Sequence, residues 1–425
     1  MLKEIDLSDL EVGMFIHKME GTWFDHPFWK SNFLIEDQKR LHTLKQSKLR
    51  GVVIDTTKGR DVIAPVPKAR ASAGKPTAPA KTTANKRMAA ISKRTKREVD
   101  AFRPLSTEQE MVTAQAIAHK AKESLHRTFM AARLGKALNV KAVEPVVQDV
   151  LASVRRNPQA FSGLMRCKLQ NELMFRHALS VSALMVSLAR RMKLPAQEVH
   201  NCGLAGLLLD VGVNYLPKTI DPPNGDFRNA DPKIWQQHVT LGYRSLLNDG
   251  DLPELVLDAV LQHHERIDGQ GYPEGLEEHR ITKVAKMAAI CDTFDFLLSK
   301  TNSAAALDPA SAIEHMKEMH GAFDAEILRQ FIESVGLYPV GSFVRLRSEK
   351  IAMVIDEDDK DHTKPVVQAF YSLDLKEEIK THRIALAQSD AEDAILEIAD
   401  LSGLDLPEDQ FLREMIFLST YKNAE

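Results

Sequence analysis

Apolar residues recur every three to four positions through the middle of the chain, which is the period of an amphipathic α-helix. The stretch from Thr107 to Gly135 has this pattern, with Ser106 or Thr107 as the expected N-cap and Gly135 as the stop. A second helix is predicted from Val143 to Arg155, and the same spacing returns from Phe175 to Met192. We therefore predict that residues 157–337 form an all-α bundle.

The two ends of the chain alternate between apolar and polar residues instead. Within residues 1–63, short alternating strings with turn residues between them predict strands, and the string EDQKRLHTLKQSK predicts a helix. Residues 338–425 begin with the strings SFVRL, IAMVI and PVVQAFYS, which predict a small antiparallel sheet. Residues Asp390 to Tyr421 are expected to be acidic helix. The predicted fold class is mainly α, with a small α/β N-terminal domain and a short C-terminal antiparallel β segment plus helix.

Residues 64–100 have a different composition, rich in Ala, Pro, Lys, Thr and Ser. This stretch has too few large apolar side chains to form a core, so we predict a flexible basic linker. Its cluster of Lys93, Arg94, Lys96 and Arg97 is interpreted as a solvated run of charge, because no aromatic residues are interleaved with it. A helical region, residues 101–156, is expected between this linker and the bundle.

Composition limits the classes of function. A chain of 425 residues with 44% hydrophobic residues is long enough for two or three compact units. The 56 basic and 59 acidic side chains nearly balance, so the overall charge predicts no binding to DNA. Three widely separated cysteines, Cys167, Cys202 and Cys291, provide no disulfide framework, and the first residues lack a signal-peptide core. A cytoplasmic protein without a membrane span is therefore expected, because no apolar run approaches the ~18 residues that a span requires.

The richest chemistry lies in the string HHERIDGQGYPEGL, which runs from His263 to Leu276. The two adjacent imidazoles follow an apolar helical run, and a neutral imidazole nitrogen is a ligand for transition metals. Glycine and proline then force a tight turn. A histidine pair alone is more often part of a surface turn, but the whole string is too specific for that interpretation.

This string resembles the signature of the HD-GYP family, bacterial metal-dependent phosphodiesterases that open cyclic di-GMP. The resemblance extends to LLLDVGV, residues 207–213, where Asp210 and Gly212 match the family pattern LLHDIGK. Leu209 replaces the family's histidine, and Val213 replaces its lysine. Residues 1–63 also resemble the small domain that is often found in front of HD-GYP domains.

The resemblance implies a set of metal ligands. Its members are His177, Asp210, His238, His263, His264 and Asp292. Asp210 would bridge two ions and act as the catalytic carboxylate, with His177 and Asp292 holding one ion and the three remaining histidines the other. Mixed imidazole and carboxylate ligands favour iron or manganese. No third ion is expected, because Glu172 lies five residues before His177 where the family places a glutamate four before.

The resemblance also implies that the loop after the paired histidines shapes the substrate pocket. The expected substrate-binding residues are Arg266, Asp268, Gly269, Gly271, Tyr272 and Pro273.

Two functions follow from this reading. In the first, the protein hydrolyses cyclic di-GMP, slowly because a ligand and a positive charge are missing; losing one such charge typically costs about 10²–10³ in rate. In the second, it is a catalytically inactive sensor that binds cyclic di-GMP or docks a diguanylate cyclase domain through its GYP loop. The resemblance also implies that two copies can form a homodimer.

Overall fold

The computed structural model describes residues 2–20, 33–35, 38–45, 51–60, 103–134, 136, 138–167, 173–217, 231–248, 252–299, 305–358, 361–388 and 393–421. They belong to two compact units, one within residues 1–82 and the other within residues 83–425. The predicted linker, the proposed stop at Gly135 and Glu172 lie outside the described residues. In the part of the chain that is described, no helix is both long and apolar enough to cross a membrane.

The first unit is a four-stranded antiparallel sheet with one helix. Its elements are β1 (Leu2–Ile5), β2 (Phe15–Glu20), β3 (Phe33–Leu34), α1 (Gln38–Lys45) and β4 (Gly51–Asp55). The strand order is β1-β4-β2-β3. Alternate residues such as Ile16, Val52 and Ile54 are fully buried, which is the pattern of strands with one face on a core. The predicted small α/β domain is confirmed.

The second unit is mainly helical. Its helices are α2 (Thr107–Arg133), α3 (Glu144–Arg156), α4 (Pro158–Cys167), α5 (Leu173–Arg191), α6 (Ala196–Leu208), α7 (Pro232–Trp235), α8 (Gln237–Leu247), α9 (Glu254–Gln262), α10 (Lys283–Leu297), α11 (Pro309–Glu318), α12 (Ala325–Val335) and α13 (Asp409–Tyr421). Of the two candidate N-caps that the sequence offers, Ser106 is the N-cap of α2, and it forms a capping box with Gln109. The mainly helical fold class is confirmed.

Two helices at the centre approach each other closely. A side chain at Gly206 of α6 would place its Cβ 2.8 Å from the Cα of Ser182 in α5, so only glycine fits there. The hydroxyl of Ser182 donates a hydrogen bond to the carbonyl of Gly203 at 2.8 Å. This contact fixes α5 against the end of α6, and both helices carry side chains of the candidate site.

The C-terminal sheet is larger than the sequence predicts. Strands β5 (Phe343–Leu346), β6 (Lys350–Asp356) and β7 (Val366–Ser372) match the predicted strings, and they are joined by β8 (Glu377–Ala385) and β9 (Ile395–Ile398). The sheet is antiparallel with the order β8-β7-β6-β5-β9.

The prediction of helix from Asp390 to Tyr421 is therefore wrong in its first part. The segment Ile395–Ile398 pairs with the edge of β5, since its short apolar and polar alternation suits a strand. Gly403 has a φ of +84°, and Pro407 follows, so the helix begins only at Asp409. Edge pairing with a distant strand outweighed the local acidic pattern.

One continuous apolar core joins the second unit. It runs from Met111 in α2 to Tyr421 in α13 and includes residues of the sheet. The hydroxyl of Thr107 also donates to Asp356 of β6 at 2.7 Å, and the hydroxyl of Tyr421 donates to the carbonyl of Ile355. Because this core includes residues from all three ranges, the division into residues 101–156, 157–337 and 338–425 stays a prediction.

Candidate metal centre

Asp210 lies at the meeting point of two structural elements. Helix α6 ends at Leu208, and a short 3₁₀ helix, Val211–Tyr215, begins after Asp210. A Cβ at Gly212 would lie 1.8 Å from the carbonyl oxygen of His238 and 2.6 Å from the nitrogen of Gly242. Glycine at position 212 therefore allows the turn to pack directly against α8, which brings Asp210 to His238.

A first group of histidines faces one oxygen of Asp210. Its Oδ1 lies 3.3 Å from Nε2 of His238 and 3.6 Å from Nε2 of His263. The two Nε2 atoms are themselves 3.4 Å apart. Both rings are buried, and together with His264 and Asp210 they form a cluster whose ligand atoms all lie within 4.8 Å of one another.

Backbone carbonyls determine which nitrogen of these rings faces inward. Nδ1 of His238 lies 2.6 Å from the carbonyl of Trp235, and Nδ1 of His263 lies 2.9 Å from the carbonyl of Val260. A carbonyl only accepts, so Nδ1 carries the proton in each ring. When the ring is neutral, Nε2 is therefore the nitrogen with the lone pair, and Nε2 faces Asp210 in both residues.

A second group lies on the other side of Asp210. Nε2 of His177 in α5 is 3.4 Å from Oδ2 of Asp210 and 3.0 Å from Oδ1 of Asp292 in α10. Nδ1 of the same ring is 2.8 Å from Oδ2 of Asp295. The two oxygens of Asp210 thus face two different ligand groups, which is the arrangement expected of a bridging carboxylate.

Charge is strongly coupled around Asp210. Burial would raise the pKa of Asp210, but contacts with His238 and His263 hold its pKa well below the ordinary 3.8. Burial would likewise lower the pKa of His263, whereas the carboxylate of Asp210 holds it above 6.5. Asp210 is therefore an anion inside the protein, and it attracts positive charge.

The carboxylates of the second group also raise the pKa of a histidine. Burial opposes protonation of His177, but the carboxylates of Asp292 and Asp295 hold the pKa of His177 well above 6.5. His264 differs, because burial and the neighbouring imidazoles hold its pKa well below 6.5. His264 is consequently neutral near pH 7, which is the form that binds a metal.

These residues fit divalent transition-metal ions. Nε2 of His177, Nε2 of His264 and Oδ1 of Asp210 are buried and make no hydrogen bond, although buried polar atoms nearly always have a partner. Imidazole nitrogens combined with carboxylate oxygens are typical ligands of such metals. The six predicted ligands are thus brought together in two overlapping groups.

The two replaced positions lie in apolar surroundings. Leu209 is 1% exposed and belongs to the main core. Val213 packs in a small cluster with Leu216, Ile234 and Trp235. These side chains offer neither a metal ligand nor a positive charge, so each is accommodated by packing.

The GYP loop is held by a buried carboxylate that the sequence analysis passed over. Glu265 is 3% exposed and accepts hydrogen bonds from the backbone nitrogens of Glu274 at 2.7 Å and Leu276 at 2.9 Å. A Cβ at Gly271 would lie 2.4 Å from the nitrogen of Arg266, so the loop folds tightly onto the residues after the paired histidines.

The six predicted substrate-binding residues occupy this loop in different ways. Tyr272 stacks on the ring of His264, with 4.6 Å between centroids. Arg266 and Asp268 form a salt bridge at 2.7 Å, and the backbone nitrogen of Asp268 donates to the carbonyl of Gly321. Gly269 has a φ of +73°, which a turn here requires, and Pro273 follows Tyr272 directly. Their role in substrate binding stays a prediction.

A cavity of about 310 Å³ adjoins the cluster. It is lined by Leu173, Arg176, His177, Asp210, Trp235, His264, Asp292, Thr293, Phe296, Leu297, Ser299, His315 and Met319. Four of the predicted metal ligands belong to this lining. The six loop residues named above do not, and the stacking of Tyr272 on His264 links the loop to it. A substrate in this cavity would touch the ligand cluster directly.

Three supporting residues had weak sequence signals. Asp295 follows Asp292 by three residues, a spacing that places both side chains on one face of a helix. Trp235 stands three before His238, where its carbonyl meets the ring. Glu265 is part of the signature string itself. Spacing could have identified the first two, but only the folded loop reveals the role of Glu265.

The helical bundle and its inward-facing histidines and aspartates define a candidate metal centre of the HD type. A family model described as "HD domain" matches residues 164–327, and one described as "Domain of unknown function (DUF3391)" matches residues 2–143. The chain is 34% identical over 397 residues to the cyclic di-GMP phosphodiesterase PA4108 of Pseudomonas aeruginosa, covering 93% of this chain and 92% of that protein. The chain belongs to the HD-GYP family.

Further relatives match over shorter stretches. The cyclic di-GMP phosphodiesterase PdeB of Borreliella burgdorferi is 24% identical over 193 residues, covering 45% of this chain and 50% of that protein. Among solved structures, Bd1817, described as an HDG"Y"P protein from Bdellovibrio bacteriovorus, aligns with 78% of this chain and 99% of its own. That alignment has a TM-score of 0.45 and 17% sequence identity.

Proposed function

We propose that this protein is a metal-dependent phosphodiesterase that hydrolyses cyclic di-GMP. The observation that carries the proposal is the position of Asp210, whose two oxygens face separate ligand groups at 3.3–3.6 Å. Relatives named as cyclic di-GMP phosphodiesterases support this substrate, in particular the one that matches 93% of the chain. The hydrolysed bond would be a phosphodiester linkage of the cyclic dinucleotide.

The proposed cofactor is a pair of iron or manganese ions. His177 and Asp292 would hold one ion, and His238, His263 and His264 would hold the other. Asp210 would bind both ions. Such a pair lowers the pKa of water and withdraws charge from phosphate oxygens.

The protein's own side chains prepare this chemistry. Asp295 holds Nδ1 of His177, and the carbonyls of Trp235 and Val260 hold the rings of His238 and His263. The ligand atoms of these three histidines are therefore oriented before substrate arrives. The lining of the adjoining cavity includes two aromatic side chains, Trp235 and the partly exposed Phe296, which offer flat surfaces for a purine. Exclusion of water from this space would strengthen each electrostatic contact with the phosphate.

A second function has its own supporting observation. Leu209 and Val213 are buried in apolar clusters, so the chain lacks two groups that the family pattern supplies. A protein so altered would bind cyclic di-GMP in the same cavity without turnover. It would then act as a sensor of the nucleotide, or it would dock a diguanylate cyclase domain through the GYP loop, whose fold is fixed by Glu265.

Product analysis separates the two functions. Full-length protein would be loaded with iron without oxygen, or with manganese in air, and incubated with cyclic di-GMP before chromatography. We expect linear product from the wild type and none from Asp210→Ala. Folded, metal-loaded wild-type protein that forms no product but binds the nucleotide would support the second function.

The cellular setting is also a proposal. Cys167, Cys202 and Cys291 are free thiols in buried positions, which suits the reducing cytoplasm. We propose a homodimer as the working assembly, which light scattering of the full-length chain would test.

A further inference from the structure

The cavity beside the metal-ligand cluster contains one residue with a permanent positive charge. Within the lining that the structure describes, Asp210 and Asp292 are the acidic residues and Arg176 is the one arginine or lysine. Arg176 immediately precedes His177 on α5, so its backbone is fixed to the site. A phosphodiester that enters this cavity therefore meets a single guanidinium.

The contacts of Arg176 leave a donor unused. The residue is 7% exposed, and its Nε is buried without a hydrogen-bond partner. One terminal nitrogen donates to the hydroxyl of Ser299, which in turn lies within hydrogen-bond reach of the carbonyl of Asp295. Ser299 thus fixes one end of the guanidinium. An unmade hydrogen bond at a buried charged group is costly, and an anion in the cavity would remove that cost.

Arginine is well suited to such an anion. Its planar guanidinium presents neighbouring N–H donors whose spacing matches two oxygens of a phosphate group, and it stays charged when buried. Position 213, by contrast, has valine in an apolar cluster with Ile234 and Trp235. That position supplies no charge to the site.

We propose that Arg176 binds a non-bridging phosphate oxygen of the substrate and supplies the positive charge that position 213 lacks. This assignment rests on the proposed function. Arg176 also acts on Asp295 through its charge, so a purely supporting role for Arg176 is the alternative that an experiment must separate.

The test compares Arg176→Gln and Arg176→Lys with the wild type in the full-length, manganese-loaded protein. Arg191→Gln is the matched control, because Arg191 lies on the same helix but pairs with Glu333 at the surface. Five quantities are measured: manganese content, melting temperature, kcat and KM for cyclic di-GMP, and Kd for its hydrolysis-resistant phosphorothioate analogue.

We expect Arg176→Gln to lower kcat/KM by about 10²–10³ and to weaken binding of the analogue by about 10- to 100-fold. Manganese content and melting temperature should stay at the wild-type values. Arg176→Lys should recover part of the loss because the charge returns without the planar geometry. Arg191→Gln should behave as the wild type.

Other outcomes overturn the assignment in distinguishable ways. Wild-type turnover and binding in Arg176→Gln would refute the role of Arg176 and leave the proposed function intact. Loss of manganese in both Arg176 variants, with unchanged kcat/KM per bound ion, would assign Arg176 to the support of Asp295. If the wild type binds the analogue but does not hydrolyse cyclic di-GMP, the hydrolytic function fails and the Kd comparison still decides on Arg176. If the wild type does neither, both proposals fail.

Discussion

Oδ2 of Asp295 lies 2.8 Å from Nδ1 of His177, and this contact determines that Nε2 of the ring faces Asp210 and Asp292. Both Asp292 and Asp295 belong to α10, three residues apart. A single helix therefore contributes a candidate ligand and the group that orients its neighbour. Mutation of a partner of this kind typically costs about 10- to 100-fold in metal affinity.

Asp295→Asn should weaken metal binding without unfolding the protein. The amide keeps the size of the carboxylate but loses its charge, so the ring of His177 is held less firmly and is a poorer ligand. We expect a decrease of about 10- to 100-fold in metal affinity, measured by titration of metal-depleted protein with Mn²⁺. Asp258→Asn on α9 is the control, and equal losses in the two variants would contradict the role given to Asp295.

Metal ions should stabilise the protein through Asp210. Addition of Mn²⁺ at about 100 times its Kd should raise the free energy of unfolding by about 2.7 kcal/mol, because the ion binds the folded state alone. The melting temperature should rise accordingly in the wild type, and Asp210→Ala should abolish the shift because both ligand groups lose their shared carboxylate. A shift of equal size in this variant would place the ion elsewhere.

The GYP loop should depend on Glu265 for its stability. Glu265→Ala would leave the backbone nitrogens of Glu274 and of the buried Leu276 without their acceptor. A group left unpaired and out of contact with water costs about 1–3 kcal/mol, so the two groups together should cost roughly 2–6 kcal/mol in urea unfolding. Glu277→Ala is the control, since that side chain is 80% exposed. Similar urea midpoints for both variants would show that the loop does not need the hydrogen bonds to Glu265.

Much of the site could be predicted from the sequence because each ligand sits in a local pattern. His263 and His264 end a helix, and Asp210 precedes Gly212, whose missing side chain allows the contact with His238. The order of these motifs along the chain therefore predicts which residues come together in the folded protein. The fold class was accessible for the same reason, since apolar spacing marks the helices of the bundle.

The rest depends on contacts between distant residues. Strand β9 forms because Ile395–Ile398 meets the edge of β5, and four residues carry too little pattern to reveal such pairing. The place of Arg176 in the cavity depends on Ser299, 123 residues away. The two hydrogen bonds that Glu265 accepts form only when the loop folds over its carboxylate. Such features are set by tertiary packing, which a local pattern does not encode.

Leu209→His tests whether the missing histidine limits the activity. Leu209 directly precedes Asp210 and is buried in the core, so the substitution places an imidazole next to the candidate bridging carboxylate. If that ring reaches an ion, metal retention and turnover of cyclic di-GMP should both rise. A rise of about 10-fold would correspond to 1.4 kcal/mol of added stabilisation.

The matched variant Leu209→Phe separates ligand chemistry from side-chain volume, because it introduces a ring of comparable size without a ligand nitrogen. Both variants should lower the melting temperature of the metal-depleted protein, since each replaces a leucine that fits the core. Mn²⁺ should stabilise both variants through the six ligands that they keep, and it should stabilise Leu209→His more than Leu209→Phe because only an imidazole at position 209 adds a ligand nitrogen. Unchanged turnover in a Leu209→His variant that retains metal would mean that a histidine at position 209 does not limit activity. The missing charge at position 213 would then be the candidate for the limiting group.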